Sequence, residues 1–163
     1  MHAKEAILQT ISLSDMIIDK YLGDLDDEAL FVMPVEGMNH VAWQLGHLIS
    51  SERGMVEGIK PGSCPPLPEG FDTAHAKDQG TGTDRSKFHT KAQYLDAWKT
   101  QRAATRALLE TMSDADLDAP APEKLLRMCP NVGQVFNLTG LHAMMHVGQF
   151  VAVRREQKRP VAF

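Results

Sequence analysis

The run Leu141-His142-Ala143-Met144-Met145-His146-Val147-Gly148-Gln149-Phe150 places two histidines four residues apart. On an α-helix, side chains at that spacing face the same way with Cβ atoms about 5–6 Å apart, so His142 and His146 can share one metal ion. Around them Phe136, Leu138, Leu141, Met144, Met145, Val147, Phe150 and Val151 point in every direction of the helical wheel. A helix apolar round its whole circumference is expected to be buried, and buried imidazoles need partners. A metal satisfies both conditions. Asn131 with Gln134 caps the start of this helix, which the pattern carries to about Lys158, before Pro160.

Working outward, the rest of the chain also reads as helices. Ile7, Ile11, Ile18 and Leu22 form one stripe over residues 3–22, with Gly23 as a C-cap. Asn39 is the expected N-cap of a second helix that Pro61-Gly62 stops. On it Val41, Leu45, Leu48, Met55, Val56 and Ile59 share an apolar face. His40, Gln44, His47, Ser51, Gly54 and Gly58 form a separate stripe of small and polar residues, with Trp43 beside it. Residues 61–89 are rich in Gly, Pro, Asp and Thr and show no sustained period, which predicts a long connection. Thr90-Lys91-Ala92-Gln93 is a capping box opening a third helix to about Met112, with Leu95, Trp98, Thr105, Leu109 and Met112 inward. Four long helices without strands predict an all-α bundle, an architecture that builds metal sites from side chains on facing helices.

Composition narrows the function. At 163 residues the chain is read as a single domain, 1–163, long enough to fold on its own core. The net charge of −4 and scattered basic residues argue against a nucleic-acid partner. The basic run Arg154-Arg155-Glu156-Gln157-Lys158-Arg159 reads as a solvated helix end favoured by the macrodipole. No apolar run approaches about 20 residues, so no membrane span is expected, and the start does not read as a signal peptide. Cys64 and Cys129 form no CxxC, and a cytoplasmic location is the plain expectation.

A catalytic metal site needs three protein ligands and an open position, so a third donor must join the pair. The candidates are His2, His40, His47, His75 and His89. His47 lies off the Leu45–Leu48 face, so it is either exposed or lines a cavity on a second covered side of its helix. The absence of HExxH disfavours a zincin protease. The Glu-x-x-His pairs of di-iron bundles are also missing. Three neutral imidazoles suit Zn²⁺, Ni²⁺, Cu²⁺ or Fe²⁺.

Asn39-His40-Val41-Ala42-Trp43-Gln44-Leu45-Gly46-His47-Leu48 and His142-Ala143-Met144-Met145-His146-Val147-Gly148-Gln149, followed by Arg154-Arg155, resemble the DinB-like superfamily. That group includes bacillithiol transferases and mycothiol-dependent maleylpyruvate isomerases. The resemblance implies a four-helix bundle, up-up-down-down, with one long crossover. It also implies a divalent metal on one histidine of the second helix and two of the fourth. Carried onto this sequence, the metal ligands are His47, His142 and His146, and the cavity reading of His47 follows. His40 drops to a pocket or supporting residue, with Trp43 and Gln149 beside it. Gln149, one turn beyond His146, is placed to bond a ligand or orient an imidazole.

The expected function is a divalent-metal enzyme acting on a small molecule, with low-molecular-weight thiol S-transfer as the leading reaction. Zinc is the expected ion, with nickel or iron as alternatives. A metal-held thiol would ionise, and the thiolate is the attacking species. The rivals are a metal-dependent hydrolase and a non-enzymatic metal or small-molecule binding protein. The connection over residues 61–89 is expected to be a flexible cover for the pocket, and a homodimer is the expected assembly.

Overall fold

The computed structural model describes residues 2–161. Six helices follow one another: α1 (Ala3–Leu22), α2 (Val41–Ile59), α3 (Phe71–Ala74), α4 (Lys91–Thr111), α5 (Asp114–Asp118) and α6 (Val132–Glu156). The four long ones form the body of the fold. No helix is long and apolar enough to cross a membrane among the described residues.

Helix starts follow the capping chemistry of the sequence. Thr90 accepts from the Gln93 N–H while the Gln93 side chain reaches back to Thr90, and Asn131 Oδ1 accepts from the Gln134 N–H at 2.9 Å. At α2 the cap is His40 rather than Asn39. The His40 Nδ1 lone pair accepts from the Trp43 N–H at 3.1 Å, and Asn39 instead offers its main-chain carbonyl to Gln44 Nε2 at 2.7 Å. An unprotonated imidazole nitrogen does here what an Asn or Asp oxygen usually does.

The apolar core divides into two main layers, and the same division recurs on every long helix. One layer holds Ile18, Leu22, Leu45, Leu48, Ile49, Tyr94, Trp98, Val147, Phe150 and Val153. The other holds Ile7, Ile11, Val56, Leu108, Leu109, Val132 and Phe136. Following each chain segment between layers gives its sense: α1 and α6 run one way, α2 and α4 the other. The bundle is therefore up-down-down-up, not the up-up-down-down arrangement implied by the resemblance. The physical reason lies in the connections. A chain with one long crossover can set only one consecutive pair of long helices parallel. Here that pair is α2 and α4, joined by residues 60–90.

Between the layers lies a buried polar plane, to which all four long helices contribute. Arg102 from α4, 3% exposed, pairs with Asp15 of α1 at 2.9 Å and Glu52 of α2 at 3.0 Å. It also donates to Ser14 Oγ of α1 and to the Thr139 hydroxyl and carbonyl of α6, and its guanidinium covers the Trp98 ring. Thr105 donates to the other Glu52 oxygen at 2.6 Å. Burial pushes the Glu52 carboxyl up, against the pull of Arg102. A desolvated charge is tolerable only when paired, and Glu52 has the Arg102 guanidinium 3.0 Å away.

Three further expectations are corrected. Helix α6 is not buried all round: Leu141 is 48% and Met145 66% exposed, and Met145 borders an open cleft described below. The basic run at its end is not simply solvated. Arg154 is buried, donating to the Tyr21 carbonyl and pairing with Asp24 at 2.5 Å, so it ties α6 to the end of α1. The connection over residues 61–89 is not a loose cover either. It holds α3 and is pinned to α2 by Trp43 Nε1 donating to the Ala76 carbonyl at 2.8 Å, Ser50 to Asp72 at 2.7 Å and Arg53 to the Pro65 carbonyl at 3.1 Å.

Candidate metal centre

Three imidazoles meet where the first half of α2 faces the middle of α6. His47 comes from α2, and His142 and His146 from successive turns of α6. One ligand atom from each lies within 4.8 Å of the others. The ring centroids stand 5.2 Å apart for His47–His142, 5.3 Å for His47–His146 and 4.9 Å for His142–His146. Nitrogens on a tetrahedral ion with bonds of about 2.0–2.1 Å lie roughly 3.3 Å apart, so modest ring rotation closes the set on one ion. The donor set therefore fits a divalent metal. No fourth His, Cys, Asp or Glu belongs to the cluster among the described residues.

Electrostatics prepares these rings to bind. Burial lowers the His47 pKa to about 4, with repulsion from His142 and Lys77 adding to it. His146 is lowered to about 4 by burial and by its two neighbours, and His142 is lowered by burial. All three are neutral at pH 7, which is the form a metal requires, so protons do not compete for the site near neutrality.

The surroundings fix the rings. Gln44 is fully buried, and its amide is oriented by the donation of Nε2 to the Asn39 carbonyl. Its Oε1 must then face His146 Nδ1, 2.9 Å away. An amide oxygen only accepts, so Nδ1 carries the proton and Nε2 keeps its lone pair for a ligand. Trp43 stacks flat on His47, centroids 4.7 Å apart and planes 7° from parallel. Ser51 Oγ lies 3.5 Å from His47 Nε2. Beyond the rings a cleft of about 830 Å³ opens between α2, α6 and the segment after α5, lined by His47, Ser51, Gly54, Gly58 and His142 among others. From His47 onward the small-residue stripe of α2 is thus a cavity wall.

The other residues singled out from the sequence fall elsewhere. His40 is buried between Phe31 and Phe88, 5.0 and 4.6 Å away, where its role is the α2 cap rather than the cleft. Gln149 is exposed; the residue that orients an imidazole is Gln44. One turn past His146 points Gln149 outward, whereas Gln44 sits one turn before His47 on the helix that faces α6. The signal for it was present, since Gln44 lies on the same stripe as His47.

His75, a candidate ligand by sequence, is buried against Gly46 of α2 instead. Its Nδ1 donates to the Phe71 carbonyl and its Nε2 accepts from the Tyr94 hydroxyl, both at 2.7 Å. Gly46 makes this possible: a Cβ there would lie 2.0 Å from the His75 ring. The connection thus packs directly against the backbone preceding His47. His89 stacks on Phe71 at 5.2 Å, and His2 is exposed at the start of α1.

A family model of the DinB superfamily matches residues 12–150, a span that contains the three histidines and Gln44. No curated protein matches the chain.

Proposed function

The chain belongs to the DinB superfamily, and from that premise we propose that it is a divalent-metal enzyme for a small-molecule substrate, with thiol S-transfer as its reaction. The observation that carries this reading is the placement of three neutral imidazoles, with no fourth His, Cys, Asp or Glu in their cluster among the described residues, beside a ligand-sized cleft. A closed structural site would take four protein ligands; three leave a position for substrate. A divalent ion there, zinc foremost, supplies Lewis acidity sufficient to ionise a thiol near neutral pH. The protein's own contributions are to hold and orient. Gln44 keeps the proton on His146 Nδ1. Trp43 backs His47 and shields it from water on that side. Met55, Leu138 and Met145 give the cleft an apolar wall that favours the organic part of a substrate over bulk water.

The test is a thiol titration of protein reconstituted with Co²⁺, a spectroscopic stand-in for zinc. A thiolate-to-cobalt charge-transfer band that saturates with added thiol, and is absent in His142→Ala, is expected. No band at saturating thiol, with one cobalt bound per chain, overturns the thiol reading and leaves hydrolysis as the chemistry to assay.

A further inference from the structure

The cleft that leads away from the histidines has a charge pattern at odds with the rest of the molecule. The chain is acidic overall, with 21 Asp and Glu against 17 Lys and Arg. Yet Lys77 and Lys124 both line this cleft, and Glu123 is its one carboxylate. Neither lysine belongs to any of the ion pairs formed by the described residues. Lys77 is held in place through its chain neighbour. The Ala76 carbonyl accepts from the Trp43 indole, and that indole stacks on His47.

Much of the remaining wall is apolar, with Met55, Leu138 and Met145 along it. Met128 and Met145 are 67% and 66% exposed at its edge. Flexible thioethers on an open surface adapt to apolar ligands of varied shape. At about 830 Å³ the space falls within the roughly 300–1,000 Å³ of small-molecule sites.

We propose that the cleft is a subsite for an amphipathic anion, drawn in by the unpaired lysines of its lining, Lys77 and Lys124, while its apolar chain lies along Met55, Leu138 and Met145. The substrate class is then a carboxylated molecule with an apolar body, and the two lysines set the preference for it over neutral analogues. Only the inner end of this placement rests on the metal-enzyme reading above; the lysine–methionine half stands without it.

Two pairs of probes separate these dependencies. Hexanoate against hexanol, titrated into the metal-free protein and followed by NMR shifts of the cleft methionine methyls, tests the subsite alone. Mercaptohexanoate against mercaptohexanol, titrated into Co²⁺-loaded protein, tests it joined to the metal. Each carboxylate is expected to bind about 3–10-fold more tightly than its alcohol, the range of two partly exposed ion pairs. Lys77→Gln with Lys124→Gln erases the preference while leaving the bound cobalt at one equivalent. Raising the salt concentration shrinks it in the wild type. Equal binding of hexanoate and hexanol, or a preference that survives the double substitution, overturns the subsite. A carboxylate preference without any cobalt–thiolate band upholds the subsite and refutes the thiol reading alone.

Discussion

Replacing Gln44 by Leu tests how the protein prepares its metal ligands. The Gln44 side chain is fully buried and His146 is 8% exposed, so water cannot readily take over the 2.9 Å bond from His146 Nδ1. Leucine keeps most of the volume and removes only the acceptor. The His146 ring then has no partner to hold its proton on Nδ1, and the tautomer that presents Nε2 to a metal loses its advantage. Loss of such a supporting bond costs about 10–100-fold in metal affinity, or roughly 1.4–2.7 kcal/mol. Competition with a chromogenic chelator measures it. The Asn39 carbonyl also loses its donor, a cost to folding of about 1 kcal/mol, which urea denaturation of the metal-free protein reports separately. Gln44→Glu, which keeps an acceptor toward His146, should hold affinity within a few-fold of wild type. Unchanged affinity in Gln44→Leu refutes the idea that Gln44 sets the His146 tautomer.

Two further outcomes follow from the buried polar groups. Arg102→Met leaves Glu52, 2% exposed, without its cation and should destabilise the fold by about 3–5 kcal/mol in urea, whereas Arg102→Met with Glu52→Leu should recover much of that loss. His75, 2% exposed, is lowered from 6.5 to about 4 by burial. The unfolded chain therefore binds the extra proton first, so this contribution is full above about pH 6.5 and is lost as pH falls toward 4. Up to about 3 kcal/mol is at stake. The metal-free protein should lose stability over that window, and His75→Gln should flatten the slope.

Much of the architecture was legible because periodicity and capping reported it directly. The Thr90 box and the Asn131 cap lie where the sequence put them, and Ile7, Ile11, Ile18 and Leu22 are all buried. What the pattern hid is the polar plane. Arg102 sits on the Trp98–Thr105–Leu109 stripe, and its charge masked its place among inward residues. Only the meeting of Ser14, Asp15, Glu52 and Thr139 at one level makes that burial tolerable, and such a meeting is a property of three dimensions. The sense of the helices was hidden for the same reason. The HxxxH pair was legible as a shared helix face; its third partner was not. His47 and His40 lie on one stripe of α2, and helical spacing alone cannot show which of them α6 will face. The fold decides it through His40, which is taken up by the α2 cap and the Phe31–Phe88 cage.

The central claim is that His47, His142 and His146 hold one divalent ion between them, and elemental analysis of purified variants tests it most directly. The wild type should carry one equivalent of divalent metal per chain after dialysis against a weak chelator. His47→Ala, His142→Ala and His146→Ala should each lose it, since two imidazoles remain, while His40→Ala should keep it with affinity unaltered or reduced by no more than the roughly 10–100-fold of a supporting residue. A full equivalent retained in any of the first three, or lost in His40→Ala alone, would contradict the account and move the metal to a different set of ligands.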